Sequence, residues 1–417
     1  MKIQEGVYLH FIESKQFTTN TIKVRFTAPL QSSSIADRVL VANMLEQANQ
    51  DFPNPLQLRR QLAKLYGSQL QTQVSKMGNN HLVDLNLTYV QSDFLPDKCD
   101  VTEELLELLR ASLFRPLKKR KEFDSHLFEI EKKNLLSFLL SEEEDSFYLA
   151  DRGIRDLFYT EEEIKLPSYA TPDLVAVTSS QSTYQAYRNM LRSDRIDFFF
   201  TGQFDRQRMI DFVEAMDFGY RNPKLSPTFR QERSVIIKER VERKEVNQSI
   251  LELAYPLQVV YRDDQYPVLL VFNGLFGGMS HSKLFMDIRE KKGLAYSIDS
   301  SLSIFTGLLK VTAGIDRSNR LPVMKAVHQS LLAIKKGKIG EEELSMTKKL
   351  LIAAAKLGRD SQDHEMELLY RKELFQLESV DLKDWIASIE AVTIEDIVNL
   401  AQPIRLQAIY FLEGVDS

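Results

Sequence analysis

Apolar residues recur at every second position over 7–12 and again in TIKVRFT at 21–27, a period that sends alternate side chains to the two faces of a strand. The period then lengthens. Val39, Leu40, Met44 and Leu45 fall at helical spacing within 36–48, and a second helix over 55–65 stops at Gly67. Alternation returns at 70–74 and in LVDLNLTYV at 82–90, predicting two antiparallel strands joined near Gly78-Asn79-Asn80. Helices follow at about 100–114 and 121–158. A further helix opened by Thr171 and Pro172 runs to about Arg192, ahead of a strand at 197–201 and Gly202.

The same order then returns. A strand at 249–255 precedes an apolar, helix-like run at 267–278 and a helix in SHSKLFMDIREK at 280–291, stopped by Gly293. Segments 296–304 and 308–315 alternate as another strand pair, and helices follow at about 321–336 and 341–376. Thr393 opens a last helix, and 407–412 is a closing strand before Gly414. Gly67 and Gly293 lie 226 residues apart, as do the strand starts Leu82 and Leu308. A shared order of about seven elements predicts a duplicated domain. The break falls in NPKLSP at 222–227, a polar stretch with two prolines. The chain thus divides into an N-terminal domain at 1–221, a linker at 222–233 and a C-terminal domain at 234–417. Strands interleaved with long helix pairs indicate an α+β class, each domain an antiparallel-rich sheet flanked by helices.

Composition narrows the function. Across 417 residues, 54 Lys and Arg meet 59 Asp and Glu, a net charge of −5. A nucleic-acid surface shows as a basic excess, so no nucleic-acid partner is expected. The run KKRK at 118–121 borders acidic stretches and reads as a solvated helix end. Cys99 is alone, which excludes an intrachain disulfide and fits a reducing compartment. The first twenty residues lack an apolar segment of signal-peptide length, and no run approaches about 18 apolar residues. No membrane span is expected, and the expected location is the cytoplasm. Glycine-rich phosphate loops are absent. The six histidines are too scattered for two to share a helix face, and Cys99 has no nearby histidine to make it a nucleophile.

Four segments carry a more specific signal: NMLEQ at 43–47, QLAKLYGSQLQTQV at 61–74, YATPDLVAV at 169–177 and GGMSHSKLFMDIREKKGLAYSIDSS at 277–301. With the order of elements, they resemble the M16 family of zinc peptidases (pitrilysin, insulinase, mitochondrial processing peptidase) over nearly the whole chain. Within it, they resemble a bacterial subgroup of short, non-zinc proteins that accompany a zinc-bearing sister subunit. M16 enzymes hold zinc through H-x-x-E-H on the first long helix, the Glu activating the zinc-bound water. The matching positions here read Asn43, Met44, Leu45, Glu46 and Gln47. Amides do not replace imidazoles as zinc ligands at useful affinity. The family's third ligand, seven residues after an acid matching Glu131, falls on Phe138. The resemblance therefore implies no zinc in this chain and no hydrolysis by it alone. Glu46 stands at the general-base position, or is simply a helix-surface or pocket acid.

The second half keeps the family's other signature, an Arg and a Tyr seven residues apart. These match Arg289 and Tyr296, which the resemblance assigns to substrate backbone and transition-state oxyanion. Arg offers forked donors and a Tyr hydroxyl can donate to a developing negative oxygen. Gly277 and Gly278 either let a bound peptide approach or permit close packing. The implied function is a non-catalytic subunit of a two-chain M16-type peptidase, forming half of a peptide-binding chamber. A sister subunit would bring zinc, and this chain would contribute Arg289 and Tyr296 in trans. Two alternatives stay open: an inert structural or peptide-binding homodimer without a peptidase partner, and an assembly factor that keeps only the fold.

Overall fold

The computed structural model describes residues 1–261, 263–377 and 381–415. Its contacts gather into two units. The first comprises Met1–Leu140, Leu166–Ser226 and Asp360–Arg371; the second comprises Ser141–Lys165, Pro227–Arg359 and Lys372–Ser417. Each unit thus draws one segment from the other half of the sequence.

In the first unit, the strands are β1 (Lys2–Gln4), β2 (Val7–Glu13), β3 (Thr19–Pro29), β4 (Gln69–Met77), β5 (Asn80–Val90), β6 (Lys118–Lys119), β7 (Glu122–Phe123) and β8 (Arg195–Gly202). Six form a sheet in the order β1-β2-β8-β3-β5-β4, with β2 and β8 parallel and the other pairs antiparallel. β6 and β7 make a separate hairpin. Period-2 alternation decides the faces. Ile22, Val24 and Phe26 of β3 and Val83, Leu85 and Leu87 of β5 line one side. They bury themselves in one apolar core with Val39 and Leu40 of the helix Ser32–Gln47 and Leu105 and Leu109 of the helix Thr102–Phe114.

The second unit holds β9 (Lys238–Lys244), β10 (Ser249–Pro256), β11 (Ser297–Ser303), β12 (Leu308–Ile315) and β13 (Ala408–Gly414) in the order β11-β12-β10-β13-β9. Only β13 and β9 run parallel. From its other end this is the β2-β8-β3-β5-β4 arrangement with the same directions, so the repeat in the sequence is a repeat in topology. Gly67 and Gly293 hold the same place in it. Both have left-handed φ (+73° and +59°) just after a helix, a conformation only glycine adopts at no cost.

The borrowed segments cover the remaining sheet faces. In the first unit that face is charged. Lys23 and Arg25 are each 2% exposed. Arg25 grips Asp84 with Nε–Oδ1 at 2.8 Å and Nη2–Oδ2 at 2.6 Å. The helix Gln362–Phe375 adds Glu367, which hydrogen-bonds Arg25, Asp363, which hydrogen-bonds Lys23, and Tyr370, whose hydroxyl lies 2.8 Å from Thr27 Oγ1. In the second unit the borrowed helix Ser146–Phe158 packs Ala150, Ile154 and Phe158 against Ile250, Ala254 and Tyr410. It sits so close that a Cβ on Gly153 would come 2.2 Å from the Tyr410 ring. Beneath it, buried Glu252 accepts from Thr312 Oγ1 at 2.9 Å and from Lys310 Nζ at 3.3 Å, and Lys310 also reaches Asp151 at 2.5 Å.

Several local readings of the sequence need correction. The single helices expected at about 172–192 and 341–376 are each two, Pro172–Ala176 with Ser180–Ser193 and Glu341–Gly358 with Gln362–Phe375. The helix expected over 121–158 is two, Ser125–Glu142 and Ser146–Phe158, because Asp145 accepts from the amides of Phe147 and Tyr148 and starts a new helix after the run of acids. KKRK is no helix end: Lys118 and Lys119 are strand, and Arg120 turns the chain at φ +56°. The stretch expected as helix at 267–278 is α-helical only over Tyr266–Asn273 and continues as a π-helical turn, Gly274–Gly278.

The Glu252 cluster makes stability depend on pH. Burial pushes the Glu252 carboxyl up to about 8, against the pull of Lys310. The folded chain therefore holds a proton that the unfolded chain has released once pH exceeds the ordinary carboxylate range of about 4.3. Stability falls as pH rises from about 4.5 to about 8 through this group, and its contribution is level above that. Glu252→Gln removes the slope. Urea denaturation from pH 5 to 9 is expected to show the variant gaining on the wild type as pH rises.

Candidate functional site

The helix Ser32–Gln47 packs against β4, an edge of the first sheet. Its last two turns place Asn43, Glu46 and Gln47 in partly buried positions. Glu46 Oε2 accepts two hydrogen bonds from Thr72, one from the backbone N–H and one from Oγ1, both at 2.7 Å. The carboxylate thus caps an amide of the edge strand that points away from β5. Gln47 Oε1 is 3.5 Å from Arg59 Nη2 on the neighbouring helix Pro55–Lys64.

Glu131 lies 7% exposed on the helix Ser125–Glu142. Burial pushes its carboxyl up; the Glu46 charge adds to the push, while Asn134 and Arg59 oppose it. Two turns further along the same helix, Phe138 is 44% exposed and meets the Tyr169 ring edge-on at 5.6 Å. A hydrocarbon ring offers a metal nothing. Asn43 and Gln47 offer neutral amide oxygens, and Glu46 is committed to Thr72. This donor set does not fit a zinc ion. Among the described residues, no group of three or more His, Cys, Asp or Glu is arranged to hold a metal.

In the second unit, a π-helical turn over Phe285–Glu290 ends the helix that carries Arg289, and Tyr296 precedes β11. π-Helical turns are rare and concentrate at functional sites; two fall in this one segment, the other at Gly274–Gly278. Arg289 stacks its guanidinium 4.7 Å over the Phe285 ring and lies 3.9 Å from Glu290. Tyr296 is 62% exposed and donates its hydroxyl to Asp316 Oδ1 at 3.0 Å. That hydrogen bond and the Asp316 charge push the phenol up, so it keeps its proton and remains a donor. Both side chains stand in solvent, each held by its own neighbour. Gly277 is buried; a Cβ there would come 2.6 Å from Ser300 Oγ and 2.7 Å from Leu284. Gly278 is exposed, with Asn273 Nδ2 2.5 Å from a Cβ.

Residues 179–351 match the family described as Peptidase M16 inactive domain. The chain is 27% identical over 413 residues to "Probable inactive metalloprotease YmfF" of Bacillus subtilis (strain 168), covering 99% of this chain and 97% of that one. Over residues 179–351, this chain is similar to the M16 peptidase family. The fold agrees. A conserved protein of Enterococcus faecalis V583 superposes with a TM-score of 0.96 at 34% identity, over 100% of this chain and 98% of that one. A peptidase M16 inactive domain from Pseudomonas fluorescens gives 0.78 at 16% identity, over 98% and 96%.

Sequence reasoning singled out 43–47 through the resemblance, but not what Glu46 does there. Thr72 left no signal, because the direction of a strand's N–H is set by sheet pairing and not by the residue. Restoring the motif gives a direct test of the geometry. Asn43→His with Gln47→His still lacks a third ligand and is expected to hold less than about 0.1 zinc per chain after dialysis. Adding Phe138→Glu completes three protein ligands and is expected to approach one zinc per chain by elemental analysis. A double variant that retains a full equivalent would show the third ligand to be another residue.

Proposed function

We propose that this chain is the non-catalytic subunit of a two-chain M16-type peptidase. It forms half of a peptide-binding chamber with a sister subunit that carries H-x-x-E-H and zinc. The supporting observation is the contrast between the two sites. At the zinc-motif positions the donors are amides, a phenyl ring and a carboxylate tied to Thr72. At the second site, Arg289 and Tyr296 stand exposed with hydrogen-bond donors and a phenol held in its protonated form.

In this reading Arg289 binds a substrate carbonyl or carboxylate through its planar fork. Tyr296 would release Asp316 and donate its hydroxyl to the substrate oxygen that gains charge, where the sister's zinc would supply a Lewis acid and an activated water. Such a donor adds little to ground-state binding and acts mainly on turnover. The π-helical turns and Gly277 set the helix close on β11, so that the two side chains leave a rigid surface.

Reconstitution with a zinc-bearing sister subunit tests the assignment. Arg289→Ala and Tyr296→Phe are each expected to lower kcat about 100- to 1000-fold, the usual cost of one oxyanion donor. Size-exclusion chromatography should show the complex intact. Variants that assemble and turn over peptide within about threefold of wild type would leave the inert structural or peptide-binding reading in its place.

A further inference from the structure

The repeat that relates the two sheets breaks at one edge. In the first unit the outer side of β2 is covered by β1, with Lys2 opposite Tyr8 and Gln4 opposite Val7. The matching strand of the second unit is β9, and among the described residues nothing pairs with its outer side. β9 is exposed along Lys238–Arg243, and the three residues before it are exposed apolar ones: Val235 at 100%, Ile236 at 71% and Ile237 at 50%. Charged side chains are one way natural sheets guard such an edge, so a strand added to β9 must match its charges.

We propose that the free edge of β9 pairs antiparallel with β9 of a second copy of this chain, about a two-fold axis at Val241. Backbone direction sets the first condition. Lys238 N donates to Gln407 O, and Lys244 O accepts from Val415 N, so residues 238, 240, 242 and 244 turn their polar groups to β13. Residues 239, 241 and 243 turn theirs outward. A register centred on Val241 sets Glu239 opposite Arg243, Val241 opposite itself and Arg243 opposite Glu239, all outward-facing, so each pair exchanges two N–H···O bonds.

Charge sets the second condition. The strand reads Lys-Glu-Arg-Val-Glu-Arg-Lys. In this register both Glu239–Arg243 pairs and both Arg240–Glu242 pairs are of opposite sign, and only the terminal Lys238 and Lys244 meet a like charge. Centring on Arg240 sets Arg on Arg, and centring on Glu242 sets Glu on Glu with Arg240 against Lys244. Opposite charges directly across an antiparallel pair stabilise it and like charges oppose it. Edge charges of one sign would repel every copy, whereas this order gives the register centred on Val241 the most pairs of opposite sign. Glu239 also pairs with Arg320, Arg243 with Glu413 and Glu242 with the Tyr410 hydroxyl. Those contacts hold the side chains beside the edge and leave second oxygens and guanidinium nitrogens free. The resulting interface is isologous, residue i meeting j and j meeting i.

The test uses the full chain in a Cys99→Ser background, since Cys99 is exposed. Sedimentation over micromolar to hundred-micromolar concentrations should show a monomer–dimer equilibrium. A hydrogen-bonded antiparallel pair sets Cα atoms about 5.5 Å apart, within disulfide reach. Val241→Cys should therefore cross-link to dimer under mild oxidation, while Arg240→Cys, opposite Glu242, should not. Arg240→Glu is expected to weaken the dimer about tenfold or more, and the swap Arg240→Glu with Glu242→Arg to restore it. The swap keeps the edge's composition and changes only who faces whom. A chain that stays monomeric throughout, or a dimer indifferent to Arg240→Glu and not trapped through Val241→Cys, would overturn the proposal.

Discussion

A guanidinium removed from water needs carboxylates around it, and Arg25 finds two. Asp84 comes from the neighbouring strand, and Glu367 arrives from a helix more than 300 residues away in sequence. Losing one partner of a buried pair typically costs about 3–5 kcal/mol, because the other charge is left stranded. The first sheet therefore cannot be finished by the first half of the chain. The second sheet has the reciprocal need, since the helix Ser146–Phe158 both covers Ile250 and Tyr410 and brings Asp151 to Lys310. Each unit includes a helix from the other half of the sequence, so neither half alone supplies all of its unit's partners.

The first half holds its shape without the positions that the resemblance matches to zinc donors. Its framework rests on an apolar core and a charged face closed by a borrowed helix, and neither involves Asn43, Gln47 or Phe138. Glu46, which the resemblance matches to a general base, caps the Thr72 amide at the edge of β4 with its carboxylate.

The alternation of β3 and β5 was legible in the sequence because those strands turn an apolar face to the core, and the paired glycines at 67 and 293 showed the repeat. The exchange was not legible. Lys23 and Arg25 look like the solvent side of a strand, and nothing local reveals that a distant helix covers them. β9 also escaped notice, since a strand of charges has no apolar period to detect. Of the candidate site, the residue types at 43–47 and 138 and the Arg289–Tyr296 spacing could be read directly. The π-helical turns, the hold of Asp316 on Tyr296 and the packing of Gly277 on Ser300 all depend on tertiary contacts.

We propose that this chain acts by completing a partner's active site. The most direct measurement is a titration: a zinc-bearing M16 sister subunit at fixed concentration, peptide turnover followed as this chain is added. Turnover is expected to rise from near background and to saturate at one chain per sister. Turnover that is full without this chain and unchanged by its addition would contradict it.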